Sequence, residues 1–313
     1  MTKNYEPRPI STPAELARHI KQTDTGITLS KISRFDHFRG SLSPELWESL
    51  LGPDVNDLRH LGFTASLAEQ LAQDERTHPC GNKLSLKEKL MLKVTALTHD
   101  LGEATTGDTP ANIKDGSDEL IEKVALTREV GQLATRCTRL MSDTLSSVPD
   151  IAFGSGVANN PFADLAEIFA GIESIGYTTT ALRAWRIHRL LENRQSNGQH
   201  KHLAHVNGAL EEIDQGELSE QLRRLATEVI GSRYFTRLIE FSSSLPTIAD
   251  FLLSRRKAID QIYNSDPSFD WYSKDERLAG RAGLSVSGES ARRGGLFDDA
   301  LTEWHNFTRR PRL

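Results

Sequence analysis

The amino-acid sequence predicts an all-α protein, and three observations support that prediction. Capping signals for helix N-termini recur along the chain, apolar residues repeat at helical spacing, and no segment alternates polar and apolar residues between hairpin turns. The 313 residues suffice for one large domain or two smaller ones, and they can bury a substantial core. Because only 7% of the residues are aromatic, we expect leucine, alanine, isoleucine and valine to form most of that core.

Five helix starts can be placed from short-range signals. Thr12 with Glu15, and Ser85 with Glu88, have the spacing of a capping box, in which the two side chains bond each other's backbone N–H groups. Proline beside a turn-forming polar residue marks the other three starts, at Ser43-Pro44, Pro53-Asp54 and Asn160-Pro161. Two segments rich in small and polar residues, 146–160 and 282–295, are predicted to be loops.

Composition and charge argue against several classes of partner. Lysine and arginine number 38 against 43 aspartates and glutamates, so the net charge of −5 gives no overall attraction to nucleic acid or anionic lipid. No apolar run approaches the roughly 18 residues that cross a bilayer, and the first residues lack a secretory signal pattern. The two cysteines are too few for a disulfide framework, which favours a reducing compartment. We therefore expect a cytoplasmic protein with neither a membrane partner nor a nucleic-acid partner.

The helix that starts after Ser85 ends in a histidine and an aspartate. Its apolar residues occupy two faces, with Leu90, Val94, Leu97 and Leu101 on one and Leu92 and Ala96 beside His99 on the other. A helix that is apolar on two faces is buried centrally, so we expect His99 and Asp100 at the end of a core helix. His60 lies on the same face of its own helix as Thr64, Leu67 and Leu71. Because that face is mainly apolar, we expect His60 to point into the core as well.

Two interpretations of these buried polar residues are open at this point. Imidazole and carboxylate groups that converge from different helices form a ligand set for a transition metal. Alternatively, His60 and His99 are hydrogen-bonded core residues, and Asp100 caps a loop. A later acid would complete a metal site, but helical periodicity does not choose between Asp164 and Glu173, which flank opposite sides of one apolar stripe.

Residues Thr95–Lys114 read TALTHDLGEATTGDTPANIK. This segment resembles the second motif of the HD-domain phosphohydrolases, and among them that of the 5′-deoxynucleotidases (nucleoside 5′-monophosphatases). In that group His-Asp is followed by a glutamate three residues later, then by Thr-Gly-Asp-x-Pro and a lysine. Further segments that resemble the group, in the same order, are Ser30–Phe35, Arg59–Leu61 and Ala163–Glu167, so that the similarity covers the chain from Ser30 to Leu190.

Two residues differ from the pattern of that group. Phe35 stands where the group has tryptophan, and Arg59 stands where it has glutamate. The first difference bears on how a base or sugar would pack, and the second on the groups that support His60.

The resemblance implies a helical bundle that binds one divalent metal ion, either Co, Mn, Fe, Zn, Ni or Mg. The ligands that it implies are His60, His99, Asp100 and Asp164. The sequence has no histidine from Leu101 to Ile187, where HD proteins with two or three metals place additional histidines, and this absence argues for a single ion.

The resemblance also implies an activity, the hydrolysis of nucleoside 5′-monophosphates, and of deoxynucleotides in particular, to nucleoside and phosphate. Glu103 and Asp108 are the expected catalytic residues: Glu103 would orient or deprotonate the attacking water, and Asp108 would accept hydrogen bonds from the sugar. Arg34 and Lys114 would bind the phosphate, and Phe35 would contact the substrate. Four of these residues also have a non-catalytic interpretation: Glu103, Arg34 and Lys114 as solvated surface residues, and Asp108 as a residue that forms a turn.

These inferences lead to a domain division and to two alternative functions. We expect a helical lead-in over 1–29, a phosphohydrolase domain over 30–216 and a helical extension of unknown role over 217–313. The resemblance implies a homodimer with a small-molecule nucleotide as substrate. The alternatives are an HD phosphohydrolase acting on another phosphoester, such as a nucleoside triphosphate, and a helical module that senses a nucleotide without turnover.

Overall fold

The computed structural model describes residues 8–108, 116–197, 213–265 and 301–309, and these residues form an all-α fold. They contain no β-strand, which confirms the predicted fold class. Within these ranges, no helix combines the length and the hydropathy that crossing a bilayer requires.

Fifteen helices have both ends inside the described ranges, and residues 301–309 are also helical. In chain order they are α1 (Pro13–Ile20), α2 (Asp24–Leu29), α3 (Asp36–Arg39), α4 (Pro44–Leu51), α5 (Asp57–Thr77), α6 (Leu86–Thr98), α7 (Glu103–Thr106), α8 (Gly116–Ala134), α9 (Arg139–Ser146), α10 (Val148–Ala152), α11 (Ala163–Asn197), α12 (Gln215–Ile230), α13 (Arg233–Phe241), α14 (Pro246–Ser254) and α15 (Arg256–Tyr263).

Three predicted helix starts agree with the structure. Both capping boxes form, with Thr12 and Ser85 as N-caps and Glu15 and Glu88 returning a bond to the cap backbone. The Ser43 hydroxyl accepts a hydrogen bond from the backbone N–H of residue 46 and begins α4. Each of these signals works within one turn of helix, so no distant contact is needed to place it.

Three other local expectations need correction. Residues Pro53–Val55 form a short 3₁₀ turn, and α5 begins only at Asp57, after the Asn56 side chain has capped it. The segment 146–160 is not one continuous loop, because it contains α10, with proline in the first turn. Helix α11 begins at Ala163, two residues after the proline that predicted it. The predicted loop 282–295 lies outside the described residues.

Helices α5 and α6 lie between two hydrophobic clusters, which explains why α6 is apolar on two faces. Met91, Leu92, Ala96 and Leu97 join the larger cluster, together with residues of α11 and α12. Val94 and Leu101 join the smaller cluster, which is built mainly from α1, α2, α8 and α9. The buried position of α6 places the histidine and aspartate at its C-terminal end inside the molecule.

The larger cluster contains residues from both sides of position 216. Helix α11 packs most extensively against α12, where Leu222 and Leu225 are fully buried. Trp304 is also fully buried, and its indole N–H donates to Asp260 on α15 at 2.7 Å. The helices that follow residue 216 are therefore part of the same core as those that carry the histidines.

Candidate metal centre

The end of α6 and the first turn of α5 bring two histidines together in the interior. His60 Nε2 lies 3.1 Å from His99 Nε2, and the two side chains are almost completely buried. His60 follows the Asn56 cap by four residues, and His99 is the C-cap of α6. The packing of α5 against α6 therefore sets the distance between the two imidazole rings.

Hydrogen bonding at the opposite ring nitrogens directs both Nε2 atoms toward the same space. His60 Nδ1 lies 2.6 Å from Asp54 Oδ1, and His99 Nδ1 lies 3.1 Å from the backbone oxygen of Ala96. A carboxylate and a carbonyl can only accept here, so each Nδ1 carries the proton. In the neutral form of each ring, the Nε2 lone pair faces the shared space, which is the arrangement usual for metal-binding histidines.

Two carboxylates complete this cluster. Asp100 Oδ1 lies 3.1 Å from His99 Nε2, and Asp100 Oδ2 lies 3.4 Å from His60 Nε2. Glu173 Oε1, from α11, lies 3.3 Å from His99 Nε2. Ligand atoms of His60, His99 and Glu173 all fall within 4.8 Å of one another.

The donor set fits a divalent ion in both chemistry and spacing. Two atoms each about 2.1 Å from one ion lie about 3.0–3.4 Å apart when the angle at the ion is about 90–109°. The Nε2–Nε2 distance of 3.1 Å falls inside that interval. Asp100 Oδ2 is also buried without a hydrogen-bond partner, so an acceptor faces this space unsatisfied.

The local electrostatics favour a positive charge at the same place. Burial disfavours a charged imidazole, but the Asp100 and Glu173 carboxylates outweigh it and raise the pKa of His99 to about 10. The pKa of Asp100 is lowered far below its usual range, because His99, His60 and Arg34 outweigh its burial. For His60, burial and the nearby Arg34 charge lower the pKa. Carboxylates that stabilise a proton on His99 Nε2 would also stabilise a metal cation there.

The structure does not place Asp164 in this cluster. Asp164 is exposed in the first turn of α11, whereas Glu173 lies at the histidines. Glu173 follows Asp164 by nine positions, which is about 13.5 Å along a helix axis. The expectation that Asp164 supplies the fourth ligand therefore needs correction, since Glu173 is the acid of α11 that reaches His99. The sequence named both acids, but periodicity alone could not choose between them.

A second group of acids adjoins the first and shares Asp100 with it. Oxygen atoms of Asp100, Glu103 and Glu122 lie within 4.8 Å of one another, and all three residues are buried. Gly102 permits this approach, because a Cβ atom there would lie 2.8 Å from the backbone oxygen of Glu122 and 3.0 Å from the backbone nitrogen of Leu126. The glycine inside the His-Asp-Leu-Gly-Glu sequence thus lets α8 pack directly on the turn.

Glu103 begins α7 immediately after this turn. Burial raises the pKa of its carboxyl well above the usual value, and the charges of Asp100 and Asp108 raise it further. Its Oε2 atom is buried without a hydrogen-bond partner. A buried carboxyl whose pKa is raised holds a proton more readily than an ordinary glutamate, which is a property of general acids and bases.

Arg34 is buried and has protein partners at all three guanidinium nitrogens. Its Nη1 lies 3.4 Å from Asp54 Oδ1, its Nε lies 3.9 Å from Asp57 Oδ1, and its Nη2 donates to Tyr177 Oη at 2.9 Å. Burial would lower the pKa of Arg34, but Tyr177 and Asp54 raise it above the usual value, so the group stays charged. Much of that charge is therefore already engaged by the protein.

Phe35 adopts a backbone conformation that is rare outside glycine, with φ of 58°. Its ring meets the Tyr177 ring edge-on, with 5.8 Å between centroids. The segment that carries it is fixed by Arg34 N–H donating to the Val55 oxygen at 3.0 Å and by Trp47 Nε1 donating to the Arg34 oxygen at 3.3 Å. Strain of this kind commonly occurs at binding sites.

Asp54 is the polar residue that the sequence analysis missed most clearly. It links His60 to Arg34, and the Thr180 hydroxyl donates to its second oxygen. Burial would raise the pKa of Asp54, but His60 and Arg34 lower it to about 2. Arg59, where the HD group has an acid, is exposed and pairs with Glu48 instead. A Pro-Asp pair is also typical of a helix start, so no local signal distinguished Asp54.

Two adjoining cavities border the cluster, and Tyr177 and Tyr234 line both of them. The larger, of about 180 Å³, is lined by His99, Asp100, Glu103 and Glu173 among others. The smaller, of about 60 Å³, is mostly apolar and is lined by Arg34, Phe35, Phe38, Asp108, Val229 and others. Asp108 thus lies at the smaller cavity, while Lys114 lies outside the described residues.

Comparisons with known proteins give no family assignment. No protein-family model, no curated protein and no solved structure matches the chain. The similarity of Thr95–Lys114 to HD-domain phosphohydrolases therefore stays an expectation from the sequence.

Proposed function

We propose that this chain is a metal-dependent phosphohydrolase of the HD type, which cleaves the phosphomonoester of nucleoside 5′-monophosphates. The observation that carries the proposal is the convergence of His60 Nε2, His99 Nε2, Asp100 and Glu173 beside a cavity large enough for a small anionic group. The motif around Asp100 adds support, because Glu103 follows it at the spacing that the HD group has.

We propose one divalent ion, held by the group that contains both imidazoles. Bound there, it would supply Lewis-acid polarisation of a phosphate oxygen and of a water molecule. The second group, which combines Asp100, Glu103 and Glu122, contains only carboxylates. We assign Glu103 in that group to proton transfer rather than to metal binding, because its carboxyl lies at the larger cavity with a raised pKa.

In the proposed reaction, Glu103 accepts a proton from the attacking water. The water oxygen forms a new bond to phosphorus, and the bond from phosphorus to the 5′ oxygen breaks. The 5′ oxygen takes up the proton that Glu103 accepted and leaves as the nucleoside hydroxyl, so that Glu103 is regenerated and water is the only co-reactant. Burial of Glu103 and Asp100 keeps bulk water away from the acids that direct this step.

The two cavities suggest how a nucleotide would lie. The phosphate would occupy the larger cavity beside the histidines, and the base would enter the smaller apolar cavity next to Phe35 and Tyr177. Asp108, which lines the smaller cavity, would accept a hydrogen bond from the sugar, and Arg34 would bind the substrate from the same side. The proposed contact of Lys114 with the phosphate involves a residue outside the described ranges.

A phosphate-release screen tests the proposal. Full-length protein is stripped of metal, loaded separately with Mn²⁺, Co²⁺, Zn²⁺ or Mg²⁺, and incubated with deoxy- and ribonucleoside mono-, di- and triphosphates. We expect release of inorganic phosphate from monophosphates with at least one metal, and none with a chelator. Release of pyrophosphate or triphosphate instead would support the alternative function, an HD phosphohydrolase that acts on another phosphoester such as a nucleoside triphosphate. Binding of nucleotides without any product would contradict an enzymatic function.

A further inference from the structure

Among the described residues, the larger cavity is lined by one arginine and several acids. Five carboxylic acids line it: Asp100, Glu103, Glu119, Glu122 and Glu173. Arg237 is the only lysine or arginine among the described residues that line the same cavity. Arg237 lies on α13, in the C-terminal extension for which the sequence predicted no role.

The guanidinium of Arg237 is held in place by neutral groups. Its Nη2 donates to the Ser155 hydroxyl at 2.8 Å, and its central carbon lies 5.5 Å from the centroid of the Phe241 ring. Across the described ranges, no carboxylate oxygen comes within 4.0 Å of it. Arg34 differs in this respect, because Asp54 and Asp57 lie against it.

An oriented guanidinium without a carboxylate partner, in a cavity that also holds a cluster of metal-ligand type, is suited to an anion. The Ser155 hydroxyl and the Phe241 ring restrict the orientation of Arg237 without forming an ion pair with it. The planar fork of an arginine matches two oxygens of a phosphate group. The acids of the cavity do not exclude such an anion if a cation is bound among them.

We infer that Arg237 and Ser155 form an anion subsite in the larger cavity that binds the phosphate group of the substrate, whereas Arg34 lines the smaller cavity. This inference rests on the proposed function and extends it to residues outside the segments that resemble the HD group. The C-terminal helices then have a direct role in the site, because α13 supplies Arg237 and also Tyr234, whose ring lies 5.5 Å from that of Tyr177.

The test measures binding of inorganic phosphate to full-length protein by calorimetry, with Mn²⁺ present, for the wild type, Arg237→Gln, Arg237→Lys and Arg256→Gln. Arg256 is the matched control, since it is half-exposed, pairs with Asp260 on its own helix and does not line the cavity. We expect Arg237→Gln to weaken phosphate binding by about tenfold or more, because a hydrogen bond between charged groups is lost. Arg237→Lys should weaken it less, because the charge remains while the fork is lost.

Parallel kinetics separate this inference from the proposed function. For a nucleoside monophosphate, Arg237→Gln should raise KM by a similar factor, and thermal melting should show that the variant folds. Equal phosphate binding by the wild type and Arg237→Gln would overturn the subsite, even if the wild type hydrolyses monophosphates. Loss of phosphate binding in Arg237→Gln, with no hydrolysis by the wild type, would keep the subsite and overturn the enzymatic proposal. Failure of the wild type to bind phosphate at all would also overturn the subsite.

Discussion

A Cβ atom on Gly102 would lie 2.8 Å from the backbone oxygen of Glu122. This contact joins the turn that follows Asp100 to helix α8, and it holds two of the buried acids within reach of each other. The close packing of backbone on backbone at this point leaves no flexible side chain that could move aside.

Replacement of Gly102 by alanine should therefore destabilise the protein by about 1–3 kcal/mol, the usual result of overpacking. Gly131 on the same helix α8 is the matched control, because a Cβ there would meet no atom within 4 Å. Gly131→Ala should stabilise the protein by about 0.5–1 kcal/mol, since alanine loses less backbone entropy in a helix. Chemical denaturation of both variants checks this, and equal effects would contradict the packing argument.

Two acids of α11 provide a direct test of ligand identity. Glu173→Gln should weaken Mn²⁺ binding by about tenfold or more, because it removes a carboxylate that lies 3.3 Å from His99 Nε2. Asp164→Asn should leave the affinity unchanged, since Asp164 is exposed at the start of the same helix. Equilibrium titration of the two variants distinguishes the acids, and the reverse order of effects would restore Asp164 as the ligand.

Glu103 should matter for turnover and not for metal retention. The conservative change Glu103→Gln keeps the shape of the side chain but cannot accept a proton, so kcat should fall by about 10²–10⁴-fold. Metal content, measured on the same sample, should match the wild type. A variant that loses its metal would instead identify Glu103 as a ligand, as its place in the second acid group would permit.

Asp57 should make the metal-free protein less stable as the pH rises. It is fully buried, and burial together with the charge of Asp108 raises its pKa well above the usual value, although Arg34 opposes this. An acid whose pKa is raised by folding contributes stability that is complete below its unfolded pKa and is lost as the pH rises toward the folded pKa. Each unit of that difference corresponds to about 1.4 kcal/mol.

Thermal melts with chelator present, from about pH 5 to about pH 8, measure this dependence. The melting temperature of Asp57→Asn should fall less steeply with pH than that of the wild type, because asparagine does not ionise. Asp57→Asn also loses the contact with Arg34, which changes the melting temperature itself. Comparing the slopes of melting temperature against pH, and not the melting temperatures, removes this separate effect. Parallel slopes would mean that Asp57 titrates normally in the folded chain.

The fold class and the helix starts at Thr12, Ser43 and Ser85 could be predicted because capping depends on residues within one turn. The same holds for the burial of His60 and His99, which followed from apolar faces on their helices. Helix α10 could not be predicted, because proline in a first helical turn resembles proline in a loop.

Much of the site depends on contacts between residues far apart in the chain. Arg34 meets Tyr177, Arg237 meets Ser155, and Thr180 meets Asp54, each across at least 82 positions. Sequence periodicity indicates which face of a helix a residue occupies, but it does not indicate which other helix packs on that face. For this reason Asp54 and Arg237 could not be identified before the helices were placed.

Titration of metal-free, full-length protein with Mn²⁺ tests the central claim most directly, using His60→Ala, His99→Ala and the exposed control His305→Ala. We expect one ion per wild-type chain and a similar affinity for the control. In the two other variants the affinity should fall by more than about 100-fold, since loss of a direct ligand exceeds the effect of losing an outer partner. Binding that is unchanged in both His60→Ala and His99→Ala, or absent in the wild type, would contradict the metal centre and the hydrolysis proposed to depend on it.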